Sequence, residues 1–453
     1  MSAVELAARA LRAAEGDEAE AFVHSERSGL ARFAGSVQHQ PTLIEDEIVT
    51  LRVVWDGRVG VAVSNRTSDE GLRTLAARAR DAADNAPVDS EFPGLAPPGE
   101  LPEVDGFDDE TAAMTEDDYA GAASRAISHA RGLDAYGFFT SGVTELAVAS
   151  TAGVEASQRL TDATLVVLGA GDGVSGYATR TAWRVGEIDV EECAQEAAER
   201  GARTRGAGEL EPAAYRAVLE PYAIAELLQY FGYDSLGALG FLEERSYFSG
   251  RLGELCFDER VSLTDDALDP RGLPKAFDFE GSAKERVPLI ENGVIRGVVW
   301  DRRTAKRAGG DARGTGHAPP VAWQSYGPLP FALSLAGGDA ESVDELVERV
   351  EDGIYVTRLH YLGVVHPRQG VITGMTRDGT FRVRDGKIAE PLVNLRFTVS
   401  LPHLLRELLG LTREVTLVNG SDFYGERYPN GTLVPAVATT YFNVTGVGST
   451  PGI

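Results

Sequence analysis

Residues 47–83 read EIVTLRVVWDGRVGVAVSNRTSDEGLRTLAARARDAA, a hairpin signal followed by a helix signal. Two β-rich runs flank Asp56-Gly57, and this dipeptide tolerates the positive φ angles that a two-residue hairpin turn requires. Ser68 is a suitable N-cap, and from residue 72 onward apolar residues recur at helical spacing. An antiparallel hairpin followed directly by a helix predicts an α+β fold rather than a parallel sheet.

The rest of the chain mixes strands and helices without a regular βαβ rhythm, and a helix is predicted at 402–409. The 453 residues exceed one core of about 100–200 residues, and the stretch 206–212 (GAGELEP) is a candidate boundary. We therefore predict an α+β chain of two domains with largely antiparallel sheets and interspersed helices. The N-terminal domain is expected at 1–207 and a strand-rich C-terminal domain at 208–453. Further tight turns are predicted at Asn292-Gly293, Asp378-Gly379 and Asp385-Gly386.

The composition excludes several classes of protein. Asp and Glu number 69 against 43 Lys and Arg, and the resulting net charge of −26 opposes binding to a nucleic-acid backbone. Hydrophobic residues at 43% and charged residues at 25% fit a soluble globular protein. The uncharged stretches at 314–338 and 428–453 are interrupted by Pro, Gly, Thr and Asn, so neither predicts a membrane span. We expect a cytoplasmic protein that binds neither nucleic acid nor membrane.

The sequence patterns that resemble a cofactor or metal site have the wrong residue spacing or the wrong flanking residues for such a site. The sequence GDGVSG at 171–176 matches a dinucleotide fingerprint, but residues 177–183 alternate like a strand, so a glycine-rich hairpin turn is predicted. His360 and His366 are the closest pair of histidines, and six residues of strand would separate them by about 20 Å, too far for one zinc ion. Neither of the two cysteines has a histidine or another cysteine nearby in the sequence. These glycine, histidine and cysteine patterns therefore predict no cofactor site, no metal ligands and no catalytic residue.

The segment Asp278-Phe279-Glu280-Gly281 places two carboxylates on the same side of an extended chain. Such a pair could bind a cation or perform acid–base chemistry. A polar turn whose hydrogen bonds are satisfied is the alternative interpretation. The residues alone leave both interpretations open.

Five segments follow one another in the chain: Leu263-Thr264-Asp265-Asp266, Phe277-Asp278-Phe279-Glu280-Gly281, Leu289-Ile290-Glu291-Asn292-Gly293-Val294, residues 301–309 and Gly314-Thr315-Gly316-His317-Ala318. In this order they resemble the TldD/PmbA family, whose PmbA branch is also called TldE. Ala267, Gly314 and His317 stand where the family usually has Pro, Ser and Asn. The resemblance spans nearly the whole chain, and its Phe-Asp-x-Glu-Gly block is fairly specific.

The resemblance implies a heterodimeric metallopeptidase, whose active branch carries HExxxH on a helix and a further cysteine ligand near its C-terminus. In this chain Ala225, Glu226 and Tyr230 occupy the motif positions, so the glutamate persists and both histidines are absent. No cysteine follows Cys256. A catalytic zinc needs three protein ligands, so the resemblance implies a non-catalytic, PmbA/TldE-like subunit with zinc in the partner rather than in this chain.

The expected partners are a TldD-like HExxxH subunit and, through the complex, an unfolded peptide held by strand addition. Asp278, Glu280, Gly281 and His317 are the candidate cleft or interface residues. Two alternatives remain open, and a homodimer is possible. One is a stand-alone enzyme that uses Asp278 and Glu280, and the other is a homodimeric binding protein that performs no chemistry.

Overall fold

The computed structural model describes residues 2–130, 132–421, 423 and 425–448, and strands dominate it. Strands pair antiparallel throughout the first sheet and in most of the other two. Two pairs of strands are parallel: residues 354–356 pair with residues 217–219, and Ser334 pairs with Leu433. The predicted α+β class with largely antiparallel sheets is confirmed.

The first sheet and its helices come from the N-terminal part of the chain. Its strands are β1 (Glu18–Ala34), β2 (Val37–Trp55), β3 (Arg58–Ser64), β4 (Asp134–Ser150), β5 (Glu155–Gly171) and β6 (Val174–Ala182). They lie in the order β3-β2-β1-β4-β5-β6. The accompanying helices are α1 (Ala3–Ala13), α2 (Asp69–Asn85), α3 (Asp109–Ala112), α4 (Glu116–Ser128) and α5 (Val190–Arg203).

Helix α2 shows how local sequence sets this packing. The Ser68 hydroxyl accepts a hydrogen bond from the Gly71 N–H, which satisfies one of the free amides at the helix start. Leu72 and Leu75 are buried against the sheet in one cluster with residues of α1, β1 and β2. At Gly60 of β3 a Cβ would lie 2.1 Å from the Ala79 carbonyl oxygen, so only glycine permits this close approach of strand and helix.

The other two sheets come from residues 214–447. One has the strands β8 (Leu263–Asp265), β9 (Val287–Glu291), β10 (Val294–Ile295), β11 (Leu333–Leu335), β17 (Thr416–Asn419) and β18 (Gly431–Val434). The other has β7 (Ala214–Leu219), β12 (Gly353–His366), β13 (Val371–Arg384), β14 (Lys387–Leu392), β15 (Leu395–Ser400), β16 (Leu408–Leu411) and β19 (Val437–Val447). The helices of this part are α6 (Pro221–Ser235), α7 (Ala238–Leu242), α8 (Arg302–Ala308), α9 (Val343–Val350) and α10 (Leu401–Arg406).

Several local predictions can be compared with these elements. The turn at 171–176 is confirmed, because β5 and β6 form a hairpin in which Asp172 and Gly173 have φ angles of 48° and 75°. The turn predicted at Asp378-Gly379 is wrong. Both residues lie inside β13, where the register with β12 shifts between Val356 and Arg358.

The predicted helix at 402–409 is wrong in its second half, because α10 ends at Arg406 and Leu408 begins β16. His360 and His366 both lie on β12, as the strand prediction required. The division after residue 207 stays a prediction. No helix in the described part of the chain combines the length and apolar character that crossing a membrane would need.

Candidate functional site

Two regions carry the residues that the sequence analysis selected, and α6 is the first. The helix runs without a break from Pro221 to Ser235. Ala225 is buried in the core of the C-terminal part, whereas Tyr230 is half-buried and its ring lies 6.1 Å from that of Tyr233. Residues five apart lie about 140° apart around an α-helix, so these two positions do not share one face.

Glu226 lies between them along the helix and is largely buried. Its Oε2 atom has no hydrogen-bond partner within the described part of the chain. Burial raises the pKa of this carboxyl to about 7; nearby Asp378 adds to the rise and Arg358 opposes it. Glu226 therefore lies near the charged side chains of Arg358 on β12 and Asp378 on β13 but forms no hydrogen bond with either.

Those neighbouring charges join β12 and β13 to the first sheet. Arg358 donates from Nη1 to Asp378 Oδ2 at 2.7 Å, and its guanidinium lies 3.9 Å from the centre of the Tyr177 ring. Ser175 of β6 donates to Asp378 Oδ1 at 2.8 Å. The sequence predicts a turn at Asp378 and gives no sign of Arg358, because no local pattern marks an ion pair between strands.

The second region is the tight turn around Asp278. Its Oδ1 accepts from the backbone N–H groups of Glu280 at 2.9 Å and Ser282 at 3.0 Å, and its Oδ2 accepts from that of Ala318 at 2.9 Å. Burial and the Glu280 charge raise the pKa of Asp278 to about 6. With three backbone donors, this carboxyl holds the turn together and fixes it to the segment after His317.

His317 is held in place on both sides of its ring. Its Nε2 lies 2.8 Å from Asp265 Oδ1, and its Nδ1 lies 2.9 Å from the Thr315 hydroxyl. Burial and the nearby Lys284 ammonium lower the pKa of His317, while Asp265 opposes them. Burial raises the pKa of Asp265, but His317 and Lys284 hold it below its usual value. The ionised Asp265 can only accept, so Nε2 carries the proton and Nδ1 accepts from the hydroxyl.

Glu280 reaches across to the first sheet. Its Oε1 accepts from Arg52 Nη1 at 3.2 Å, and the same nitrogen donates to Glu20 Oε1 at 2.8 Å. Burial raises the pKa of Glu20 to about 7 although Arg52 opposes the rise. The sequence gives no sign that Arg52 and Glu20 belong to this region, because 228 residues separate Arg52 from Glu280.

The structure thus brings Asp278, Glu280, Gly281 and His317 into one region and keeps them apart from α6. The side chains of Phe277 and Phe279 pack with Phe22 of β1 in one cluster, whereas the buried face of α6 belongs to another. The residues predicted from the sequence therefore lie in two separate regions and do not form a single site.

Solved structures share this arrangement of three sheets. TldE from Thermococcus kodakarensis superposes with a TM-score of 0.85 at 20% identity, covering 98% of this chain and 99% of that one. A Bacteroides thetaiotaomicron protein described as a candidate modulator of DNA gyrase gives a TM-score of 0.81 at 21% identity, with 98% of each chain covered. At these identities the likeness establishes the class of fold alone.

Sequence comparison gives the family. The PmbA/TldA metallopeptidase C-terminal domain matches residues 212–446, and domain 1 of the same family matches residues 19–83. The chain belongs to the PmbA/TldD family, and the resemblance predicted from its sequence is confirmed.

Curated relatives match over part of their length. A metalloprotease of Methanothermobacter thermautotrophicus is 28% identical over 243 residues, which is 52% of this chain and 49% of the relative. A metalloprotease TldD homolog of Haemophilus influenzae is 27% identical over 156 residues, 33% of this chain and 30% of the relative. The matched stretches therefore span half or less of these relatives.

The metal that these names imply does not fit the residues of this chain. Ala225 offers no ligand atom, His317 uses both ring nitrogens, and both oxygens of Asp278 accept from the backbone. Within the described residues, no group of three or more His, Cys, Asp or Glu is placed to hold a metal ion. A catalytic zinc site requires three protein ligands and an open position.

Proposed function

We propose that this chain is a non-catalytic, PmbA/TldE-like subunit that pairs with a TldD-like HExxxH metallopeptidase and processes peptides with it. The observation that carries the proposal is the state of α6. At the positions of the two histidines the helix has a buried alanine and a half-buried tyrosine, and neither offers the imidazole nitrogen that would bind zinc. Zinc and the attack on the peptide bond then belong to the partner.

The remaining glutamate of the motif also supports a structural role for α6. A general base must reach the water or substrate that it deprotonates. Glu226 is largely buried beside Arg358 and Asp378, and Asp378 is itself held by Ser175 of the first sheet. In this proposal α6 helps to fix the first sheet to the C-terminal sheets, because the Tyr222 hydroxyl of α6 donates to the Thr179 carbonyl oxygen of β6 at 3.2 Å. The joined surface then shapes the chamber in which the partner works.

The test compares this chain, an HExxxH relative from the same host, and their mixture. Each sample is assayed for bound zinc by elemental analysis and for turnover of an unfolded peptide. We expect this chain alone to hold no stoichiometric zinc and to cleave nothing, and the mixture to form a heterodimer with turnover.

Two matched variants locate the chemistry. Replacing the glutamate of the partner's HExxxH by glutamine should abolish turnover by the mixture, whereas Glu226→Gln in this chain should leave it within about twofold. Turnover by this chain alone contradicts the proposal and favours the stand-alone enzyme. Loss of turnover in a folded, assembled Glu226→Gln complex contradicts it as well. If this chain forms a stable homodimer and does not bind the HExxxH relative, the result favours the alternative of a homodimeric binding protein.

A further inference from the structure

A cavity of about 190 Å³ lies where the first sheet meets the Asp278 turn and the segment that follows His317. Glu20 and Arg52 line it from β1 and β2. Phe22 and Phe279 also line it, with their ring centres 4.9 Å apart. The rest of the wall is formed by the polar residues Thr50 and Glu426 and by the apolar residues Val63, Pro319, Pro320, Val321 and Ala322.

Two carboxylates beside this cavity share one guanidinium. The Oε1 atoms of Glu20 and Glu280 both accept from Nη1 of Arg52, so they lie at most about 6 Å apart. The Oε2 atoms of both carboxylates are buried and lack a hydrogen-bond partner within the described part of the chain. Glu20 is 3% exposed. A buried acceptor that bonds to nothing costs about 1–3 kcal/mol, and more when it is charged, so these oxygens mark a place for a donor.

The charge around the cavity is negative. Arg52 balances one of the two carboxylates, and the nearby Arg302 donates to the Gly94 carbonyl oxygen at 2.7 Å. Lys284 lies near Asp278 and Arg303 near Asp301, so these four cationic groups face five carboxyl groups among the described residues. They are Glu20, Asp278, Glu280, Asp301 and Glu426.

A divalent metal ion does not suit this arrangement. Calcium takes six to eight oxygen ligands, and here two free carboxylate oxygens stand next to a guanidinium that repels a dication. A primary ammonium supplies three donors and one positive charge, and it gains further from aromatic faces. A primary ammonium therefore matches the two free carboxylate oxygens, the one unbalanced negative charge and the adjacent rings of Phe22 and Phe279.

We propose that this cavity binds a primary ammonium group carried on a short apolar stem. The ammonium donates to the free oxygens of Glu20 and Glu280, and the stem lies against the two phenylalanine rings and the proline wall. A lysine side chain and the N-terminal residue of a peptide both present this chemistry. The site belongs to the isolated chain, so it does not depend on the proposed pairing with a metallopeptidase.

The test is calorimetric titration of the purified full-length chain with n-butylammonium at pH 8, with n-butanol and tetramethylammonium as matched probes. We expect n-butylammonium to bind at least tenfold more tightly than either, because butanol lacks the charge and tetramethylammonium lacks donors. Equal binding of butanol or tetramethylammonium overturns the proposal, and so does the absence of any n-butylammonium binding below about 10 mM.

Variants place the ligand in the cavity. Glu20→Gln should weaken n-butylammonium at least tenfold, whereas Glu70→Gln, at an exposed carboxylate on α2, should leave it within twofold. Val63→Trp places an indole in the cavity and changes no charged residue, so it should also weaken n-butylammonium at least tenfold. This second variant keeps the test valid if Glu20→Gln folds poorly. Undiminished binding in a folded Glu20→Gln or Val63→Trp chain overturns the proposal.

Competition with two peptide fragments identifies the source of the ammonium. Nα-acetyl-lysine amide presents only a side-chain ammonium, and leucinamide presents only an N-terminal one. Displacement of n-butylammonium by the first assigns the cavity to lysine side chains, and displacement by the second assigns it to peptide N-termini.

Discussion

Gly281 occupies a position at which both the backbone and its surroundings exclude a side chain. Its φ angle is 75°, and a Cβ would lie 2.7 Å from Cγ1 of Val154, a buried residue. The turn held by Asp278 therefore packs against the β4–β5 connection only because residue 281 is glycine. Alanine there would combine left-handed backbone strain with overpacking.

We predict that Gly281→Ala lowers the free energy of unfolding by about 1–3 kcal/mol more than Gly253→Ala. Gly253 is the matched control, because its φ angle is 83° and a Cβ there would meet nothing within 4 Å. The two variants thus share the backbone strain and differ in the clash. Urea unfolding measures both, and equal losses would show that the turn moves to admit a methyl group.

Glu226 predicts a pH dependence of stability. Burial raises its folded pKa from 4.5 to about 7, so between these values the folded chain binds a proton that the unfolded chain has released. The contribution of this group to stability is therefore complete below pH 4.5 and is lost as the pH rises through 7. We predict that Glu226→Gln stabilises the chain by about 2 kcal/mol at pH 8 and by much less at pH 5.

The comparison uses urea midpoints of wild type, Glu226→Gln and Glu70→Gln at the two pH values. Glu70 is exposed on α2, so its replacement should change neither midpoint by much. A Glu226→Gln effect that is the same at pH 5 and pH 8 would mean that the carboxyl titrates normally in the folded chain.

At the scale of elements, α6 predicts the outcome of restoring the written motif. Ala225→His with Tyr230→His would supply two imidazoles, whereas a catalytic zinc needs three protein ligands, and the described residues contain no group of three His, Cys, Asp or Glu placed to hold a metal ion. We expect the double variant to be less stable than wild type, because an imidazole at the buried position 225 overpacks the core. We also expect it to bind zinc no more tightly than about 10 μM and to cleave no peptide. Tight zinc with turnover would require a third ligand brought from elsewhere.

Turns and capped helices are the elements that the sequence predicts well. Asp56-Gly57 and Asp172-Gly173 both adopt the positive φ angles that Asp and Gly tolerate in two-residue hairpin turns. Ser68 caps α2 as predicted. These outcomes depend on a few neighbouring residues. Asp378-Gly379 has the same chemistry and positive φ angles, yet it forms an irregularity within β13 because the pairing with β12 continues on both sides.

Contacts between distant parts of the chain could not be predicted from the sequence. Strand β1 has buried residues on both faces over much of its length, so it lacks the alternation that reveals a strand. The resemblance located the Asp278 turn in the sequence, but its partners Arg52 and Glu20 become visible only when the first sheet packs on it. Register and packing, rather than local propensity, assemble that part of the site.

At the scale of the whole molecule, Arg427 connects the segment between β17 and β18 to the first sheet. It is 2% exposed and donates two bonds to Asp162 of β5, from Nε at 2.8 Å and Nη2 at 2.6 Å. Its Nη1 donates to the Thr140 hydroxyl at 3.0 Å, and its carbonyl oxygen accepts from His24 Nε2 at 2.7 Å. One residue of the C-terminal part is thereby bonded to three strands of the N-terminal part.

We predict that Arg427→Met destabilises the whole molecule by about 3–5 kcal/mol, because it leaves the Asp162 carboxylate buried without its counter-charge. Arg413→Met is the matched control, since the Arg413–Glu341 pair has side chains 64% and 68% exposed and should contribute less than about 1 kcal/mol. Adding Asp162→Leu to Arg427→Met should recover part of the loss by removing the unpaired charge.

Urea unfolding followed by tryptophan fluorescence reports on both parts, because two of the four tryptophans lie on each side of residue 207. Equal losses for Arg427→Met and Arg413→Met would show that the buried pair does not hold the two parts together. If the double variant were no more stable than Arg427→Met, the loss would come from the other bonds of Arg427 rather than from the charge of Asp162.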